Sequence, residues 1–143
     1  MSQAVRILIV DAYEPWRRVV YWFVNGCPGW QIVGEASDGV EGLQKAKELQ
    51  PDLILLEVGL PKLNGIQTAK SIRSVAPNSK LLFVSVDLCP EIAQAALTTG
   101  AHGYVVKADA ALDLSRAMRA VLNDERFVSS RVANPHFIKT NDK

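Results

Sequence analysis

The sequence predicts a three-layer α/β fold, a doubly wound, five-stranded parallel sheet with helices on both faces. Three observations predict it. Short runs of Val, Ile and Leu recur along the chain, segments with apolar residues three and four apart separate them, and the two kinds alternate strictly through five repeats. The apolar residues in each run are consecutive rather than alternating, so each strand is covered on both faces, as parallel sheets are.

Taken in order, the first strand is Val5 to Val10, followed by a helix carrying Trp16, Val19, Val20, Phe23 and Val24 on its apolar stripe. The second strand is Trp30 to Val33, and its helix places Val40, Leu43 and the stem of Lys47 on one side. Leu53 to Leu56 forms the third strand, with Ile66, Ala69 and Ile72 on the next helix. Leu81 to Val84 is the fourth strand, and Ile92, Ala93, Ala96 and Leu97 mark the fourth helix. Tyr104 to Val106 is the fifth strand, and Leu114, Ala117, Met118 and Val121 mark the fifth helix. Pro15 and Pro90 suit a first helical turn, where a missing N–H costs nothing, and Gly26 and Gly100 suit left-handed C-terminal positions. Pro61 restrains, and Gly65 permits, the turn leading into the third helix. Asp109 is placed to cap the last helix.

One domain over residues 4–123 accounts for this pattern. The tail, 124–143, has mixed polarity and no period; Phe127 and Val128 are expected to pack back on the body and the last residues to be mobile.

Composition narrows the function. With 16 Lys+Arg against 15 Asp+Glu the formal charge is +1, which supplies no basic stripe for a nucleic-acid backbone. Cys27 and Cys89 lack metal-ligand spacing and read as buried or half-buried free thiols in a reducing compartment. His102 and His136 have no ligand-spaced companions. No apolar run approaches the ~20 residues of a bilayer span, and no signal-type N-terminus is present, so a soluble, cytoplasmic protein is expected.

The site follows from the fold, because ligands of open α/β sheets bind outside the carboxyl ends of the strands. There the first strand ends in Asp11 and Ala12, the third in Glu57, the fourth in Ser85 and the fifth in Lys107. Each alone reads as an ordinary cap, turn former or surface hydroxyl. Jointly, two acids, a hydroxyl and an amine on one edge describe a shared site.

The stretches "RILIVDA", "VGEASDGVEGLQKAKELQPDLILLE", "LPKLNGIQTAKSIRSVAPNSKLLFVS" and "TTGAHGYVVKADAALDLSRAMRAV" resemble the receiver domain of two-component response regulators, a flavodoxin-like fold. The last stretch and "DERFVSS" are similar to the subclass that precedes a helix-turn-helix output module, and no such module follows in these 143 residues. The resemblance implies strand order 2-1-3-4-5. It also implies a phosphoacceptor aspartate ending the third strand, an acid pair holding Mg²⁺ in the first loop, and a hydroxyl and a lysine contacting the phosphoryl group. On this chain those positions are Glu57, Asp11 with Ala12, Ser85 and Lys107, and Tyr104 matches the aromatic that reports the hydroxyl's position.

Two positions depart from the family. Ala12 removes a metal ligand, so Mg²⁺ is expected to be weakly held or absent, with Asp11 the remaining acid. Glu57 extends the acceptor carboxylate by one C–C bond of about 1.5 Å, and a displacement of about 1 Å costs on the order of a hundredfold where orientation carries the rate. The expectation is a degenerate, non-enzymatic receiver. Three states stay open for it: a passive interaction surface, an active-like state in which Glu57 reaches toward Ser85 and Lys107, or residual phosphorylation at Glu57 or a nearby residue.

The resemblance further implies a sensor histidine kinase or other signalling protein as partner, and contact or homodimerisation through the fourth helix, fifth strand and fifth helix. The aromatic first helix puts Trp16 and Phe23 on the core face and Tyr21 and Trp22 on its flank, either bordering the core or forming a partner surface. Two rivals remain, a DNA-binding regulator shortened in this chain and a small Mg²⁺-dependent phosphohydrolase, for which Ala12 occupies the natural place of a second acid or base.

Overall fold

The computed structural model describes residues 4–133. Its elements are β1 (Val5–Val10), α1 (Glu14–Asn25), β2 (Trp30–Ala36), α2 (Gly39–Leu49), β3 (Leu53–Leu56), α3 (Gly65–Val75), β4 (Lys80–Ser85), α4 (Pro90–Leu97), β5 (Gly103–Val106), α5 (Ala110–Leu122) and β6 (Phe127–Val128). Single 3-10 turns lie at Lys107–Asp109 and Ser130–Val132. All strand pairs are parallel, in the order β2-β1-β3-β4-β5-β6.

The period of two along each strand divides the core. Ile7 and Ile9, Leu53 and Leu55, Leu82 and Val84, and Val105 face α1 and α5, where they meet Val20, Val24, Leu114, Ala117, Met118 and Val121. Leu8, Val10, Ile54, Leu56, Leu81, Phe83, Tyr104 and Val106 face α2, α3 and α4. All four residues of β3 are buried, which is why its run is unbroken in the sequence. Burying each such aliphatic side chain contributes about 1.5–3 kcal/mol.

Local chemistry sets the helix starts. The Asp38 carboxylate accepts from the Glu41 amide at 2.8 Å, and Asn64 and Gln67 form a reciprocal capping box at α3. Pro15 and Pro90 stand in the first turns of α1 and α4.

Several expectations are corrected. Phe127 and Val128 pack back on the body as expected, and they do so by pairing with Gly103 and Tyr104, which gives the sheet a sixth strand. The tail from Asp124 to Ala133 is thus part of the fold, while residues 134–143, including His136, lie outside the described residues. Gly26 is right-handed (φ −82), and the left-handed residue of that turn is Gly29 (φ +85); Gly100 is left-handed as expected (φ +96). Asp109 occupies the N-cap position of α5 without a capping bond, because its carboxylate faces Arg131. Cys89 is exposed, not buried, while Cys27 is half-buried. Val19 and Val40, placed on the apolar stripes by spacing, are exposed. Trp22 is 73% exposed, whereas Trp16, Tyr21 and Phe23 are half-buried against the α1/α5 core.

Candidate functional site

The carboxyl ends of β1, β3, β4 and β5 bring Asp11, Glu57, Ser85 and Lys107 to one edge. Register does this: Val10 pairs with Leu56, Leu56 with Phe83, and Ser85 with Val106, so the next residues emerge side by side. The Glu57 amide donates to the Val10 carbonyl at 3.1 Å, which continues the β1–β3 ladder one step into the loop and fixes the start of the Glu57 side chain.

Lys107 holds the two acids together. Its Nζ is 2.7 Å from Asp11 Oδ2 and 3.2 Å from Glu57 Oε2. The three side chains are 11%, 4% and 7% exposed, so water screens these contacts little. The ring of Trp16 lies below the ammonium, its centroid 5.1 Å from Nζ, adding the attraction of a π face for a cation.

The remaining lone pairs of the acids are taken by backbone amides. Asp11 Oδ1 accepts from Tyr13 N at 2.8 Å. Glu57 Oε1 accepts from Val58 N at 2.7 Å, and Oε2 accepts from Val86 N at 3.3 Å. The longer carboxylate therefore spans from the β3–α3 loop to the β4–α4 loop. It meets Lys107, as expected, but reaches the amide beside Ser85 rather than the Ser85 hydroxyl, whose oxygen accepts from Asp87 N at 3.1 Å.

Tyr104 is fully buried and points inward. Its hydroxyl donates to the Asp87 carbonyl at 3.0 Å and its ring stacks beside Phe83, with centroids 6.3 Å apart. Burial pushes the phenol pKa up to about 12, the Ser85 hydroxyl opposing that shift. The β4–α4 loop is thus tied from both sides, by Tyr104 at Asp87 and by Glu57 at Val86.

Ala12 is exposed and adds no oxygen side chain to the edge. Among the described residues no three His, Cys, Asp or Glu side chains are grouped as a metal site would group them. Asp11 and Glu57, the two carboxylates at this edge, both face the Lys107 ammonium, a poor match to the several hard oxygen ligands that Mg²⁺ takes in octahedral geometry.

Sequence reasoning missed Trp16, Val86 and Asp87 as members of the site. The spacing of Trp16 places it on the core face, and the other two act through backbone atoms, which side-chain identity does not announce.

Comparison with known proteins identifies the family. Residues 7–119 match the response regulator receiver domain family. The chain is 30% identical over 136 residues to the response regulator GacA of Pseudomonas viridiflava, covering 95% of this chain and 64% of that protein. It is 33% identical over 128 residues to the nitrate/nitrite response regulator NarL of Escherichia coli K12, covering 90% and 59%. The chain therefore spans less than two thirds of the length of these relatives. Among solved structures, a LuxR-family response regulator from Aurantimonas superposes with a TM-score of 0.87 at 27% identity, covering 99% of this chain and 100% of that one. The response regulator domain of Thermotoga maritima CheB does so at 0.78 with 30% identity, covering 85% and 98%. With the parallel sheet, the acid and lysine at its edge and the inward tyrosine, these matches place the chain in the response regulator receiver domain family of two-component signalling.

Proposed function

We propose that this receiver signals through protein contact without ordinary phosphoryl turnover, with Glu57 acting as a permanent occupant of the place that a phosphoryl oxygen would take. The observation that carries the reading is the Lys107 ammonium bonded at once to Asp11 and Glu57. In phosphoryl transfer the lysine and hydroxyl neutralise charge on the transferred group. Here Glu57 brings its own charge to Lys107 and its own acceptor oxygen to Val86, and Tyr104 is already inward. The loss of an oxygen at Ala12 supports a site that holds Mg²⁺ weakly or not at all.

The partner is a sensor histidine kinase or another cytoplasmic signalling protein, met without nucleic-acid or membrane contact by this chain. Homodimerisation through α4, β5 and α5 would also involve β6, which lies along the β5 edge. Among the described residues no helix is long and apolar enough to cross a membrane.

The test is intact mass after incubation with Mg²⁺ and acetyl phosphate, comparing the parent with a double variant, Ala12→Asp plus Glu57→Asp. The expected result is an unmodified parent and a double variant that gains one phosphoryl mass. A parent that gains a phosphoryl group released by alkali and by hydroxylamine, and abolished by Glu57→Gln, overturns the reading and makes this a working switch with an unusual acceptor.

A further inference from the structure

The segment after α5 does more than extend the sheet. Its contacts fall on both sides of Lys107 in the chain. Ser129, fully buried, accepts the Val106 amide on its Oγ at 3.0 Å and donates from the same hydroxyl to Asp113 Oδ2 at 3.3 Å. Val106 is the residue before Lys107. Two residues after Lys107, Asp109 receives Arg131, whose Nε is 2.9 Å from each carboxylate oxygen. The Ser129 amide donates to the Tyr104 carbonyl at 2.9 Å, and Val132, only 2% exposed, packs into the core beneath.

These contacts have little else to do. Val106 N–H is a buried donor on a strand whose outer neighbour, β6, ends at Val128, so without Ser129 Oγ it would go unpaired. The Asp109 carboxylate stands at the N-cap of α5, where its default use is to cap, and it is drawn to Arg131 instead.

From this geometry we infer that Ser129 and Arg131 are positioning residues for Lys107: together they clamp the backbone immediately before and after it, and so set where its ammonium meets Asp11 and Glu57. The clamp operates whatever the site does with phosphate, so it stands or falls separately from the function proposed above.

The experiment measures the reactivity of each lysine toward limiting acetic anhydride by peptide mass spectrometry, on the full chain, for the parent, Ser129→Ala, Arg131→Ala, the double variant and Arg131→Lys. Lys107 is expected to react slowly in the parent, being ion-paired and nearly buried. Removing each clamp is expected to raise its rate about fivefold, as loss of ~1 kcal/mol of hydrogen bonding would. Exposed Lys62 is expected to be unchanged, and Arg131→Lys to restore much of the parent value. Amide hydrogen exchange in β1 and β3, read on the same samples, is expected to stay at the parent rate. If the double variant leaves Lys107 at the parent rate, the inference is overturned. If every lysine and the β1 and β3 amides become reactive together, the segment is a general stability element rather than a clamp, which overturns it equally.

Discussion

A buried ammonium shared by two carboxylates makes the three positions unequal. Removing Lys107 strands both Asp11 and Glu57 in a nearly dry site, whereas removing the charge of Glu57 leaves Lys107 still paired with Asp11. Lys107→Met is therefore expected to cost about 3 kcal/mol at neutral pH, and Glu57→Gln about 1–2 kcal/mol, since Gln keeps one acceptor oxygen and leaves only one of the Val58 and Val86 amides without its partner. Urea unfolding monitored by circular dichroism measures both, and equal midpoints for the two variants would contradict the sharing. At this scale the sequence was informative about which residues meet, because a strand's last residue is set by its apolar run. It was silent about how they meet. That Glu57 takes the Val86 amide instead of the Ser85 hydroxyl depends on the path of a loop, and Asp87 claims the hydroxyl from two residues away.

Among the elements, the loop from β3 into α3 is packed closely against the start of its helix. An added methyl at Gly65 would lie 2.0 Å from the Glu57 carbonyl oxygen and 2.7 Å from Val58 Cα, both backbone atoms that cannot step aside. Gly65→Ala is expected to destabilise by about 1–3 kcal/mol, with the displaced Glu57 backbone weakening the Lys107 contact as well. A lowered denaturation midpoint together with faster acylation of Lys107 would register both effects, and an unchanged midpoint would refute the close approach. The sequence marked this glycine as a turn former; the close approach, rather than a left-handed backbone, is what demands it. The five long repeats were legible because each spends several residues on one period. β6 was not, since two residues cannot show a period, and its place is fixed by Gly103, where any Cβ would come within 2.5 Å of the Phe127 carbonyl oxygen. The handedness of the turn after α1 was equally hidden, because Gly26 and Gly29 are both glycines and only the path of the chain selects the second.

For the molecule as a whole, stability should fall on mild acidification through one histidine. His102 lies between α4 and β5, its Nδ1 buried and unpaired. Its main-chain groups join three strands: its amide donates to Leu81 and its carbonyl accepts from Phe127. Burial lowers its pKa, helped by Lys80 on β4, Arg73 on α3 and Arg126, with Asp124 opposing. A lowered pKa in the fold means that the unfolded chain binds the proton more readily. The contribution is thus complete above about pH 6.5, the unfolded value, and is lost as the pH falls toward the folded one. Thermal melts from pH 7.5 to 5.5 are expected to show this decline in the parent and a flatter profile in His102→Gln; parallel profiles would exclude the histidine as the cause.

The ring of Trp16 beneath the Lys107 ammonium has an optical consequence. The chain has three tryptophans, of which Trp22 projects into solvent and Trp30, half-buried at the start of β2, lies under Arg119. A soluble quencher reaches Trp22 first, leaving the emission of Trp16 and Trp30, of which Trp16 is the ring that touches the site. Any event that moves the ammonium, whether a metal ion, an acyl phosphate or a docking protein, alters the charge above that indole. The domain is in this sense already labelled, and its occupancy can be followed in unmodified protein by the light that one of its own side chains emits.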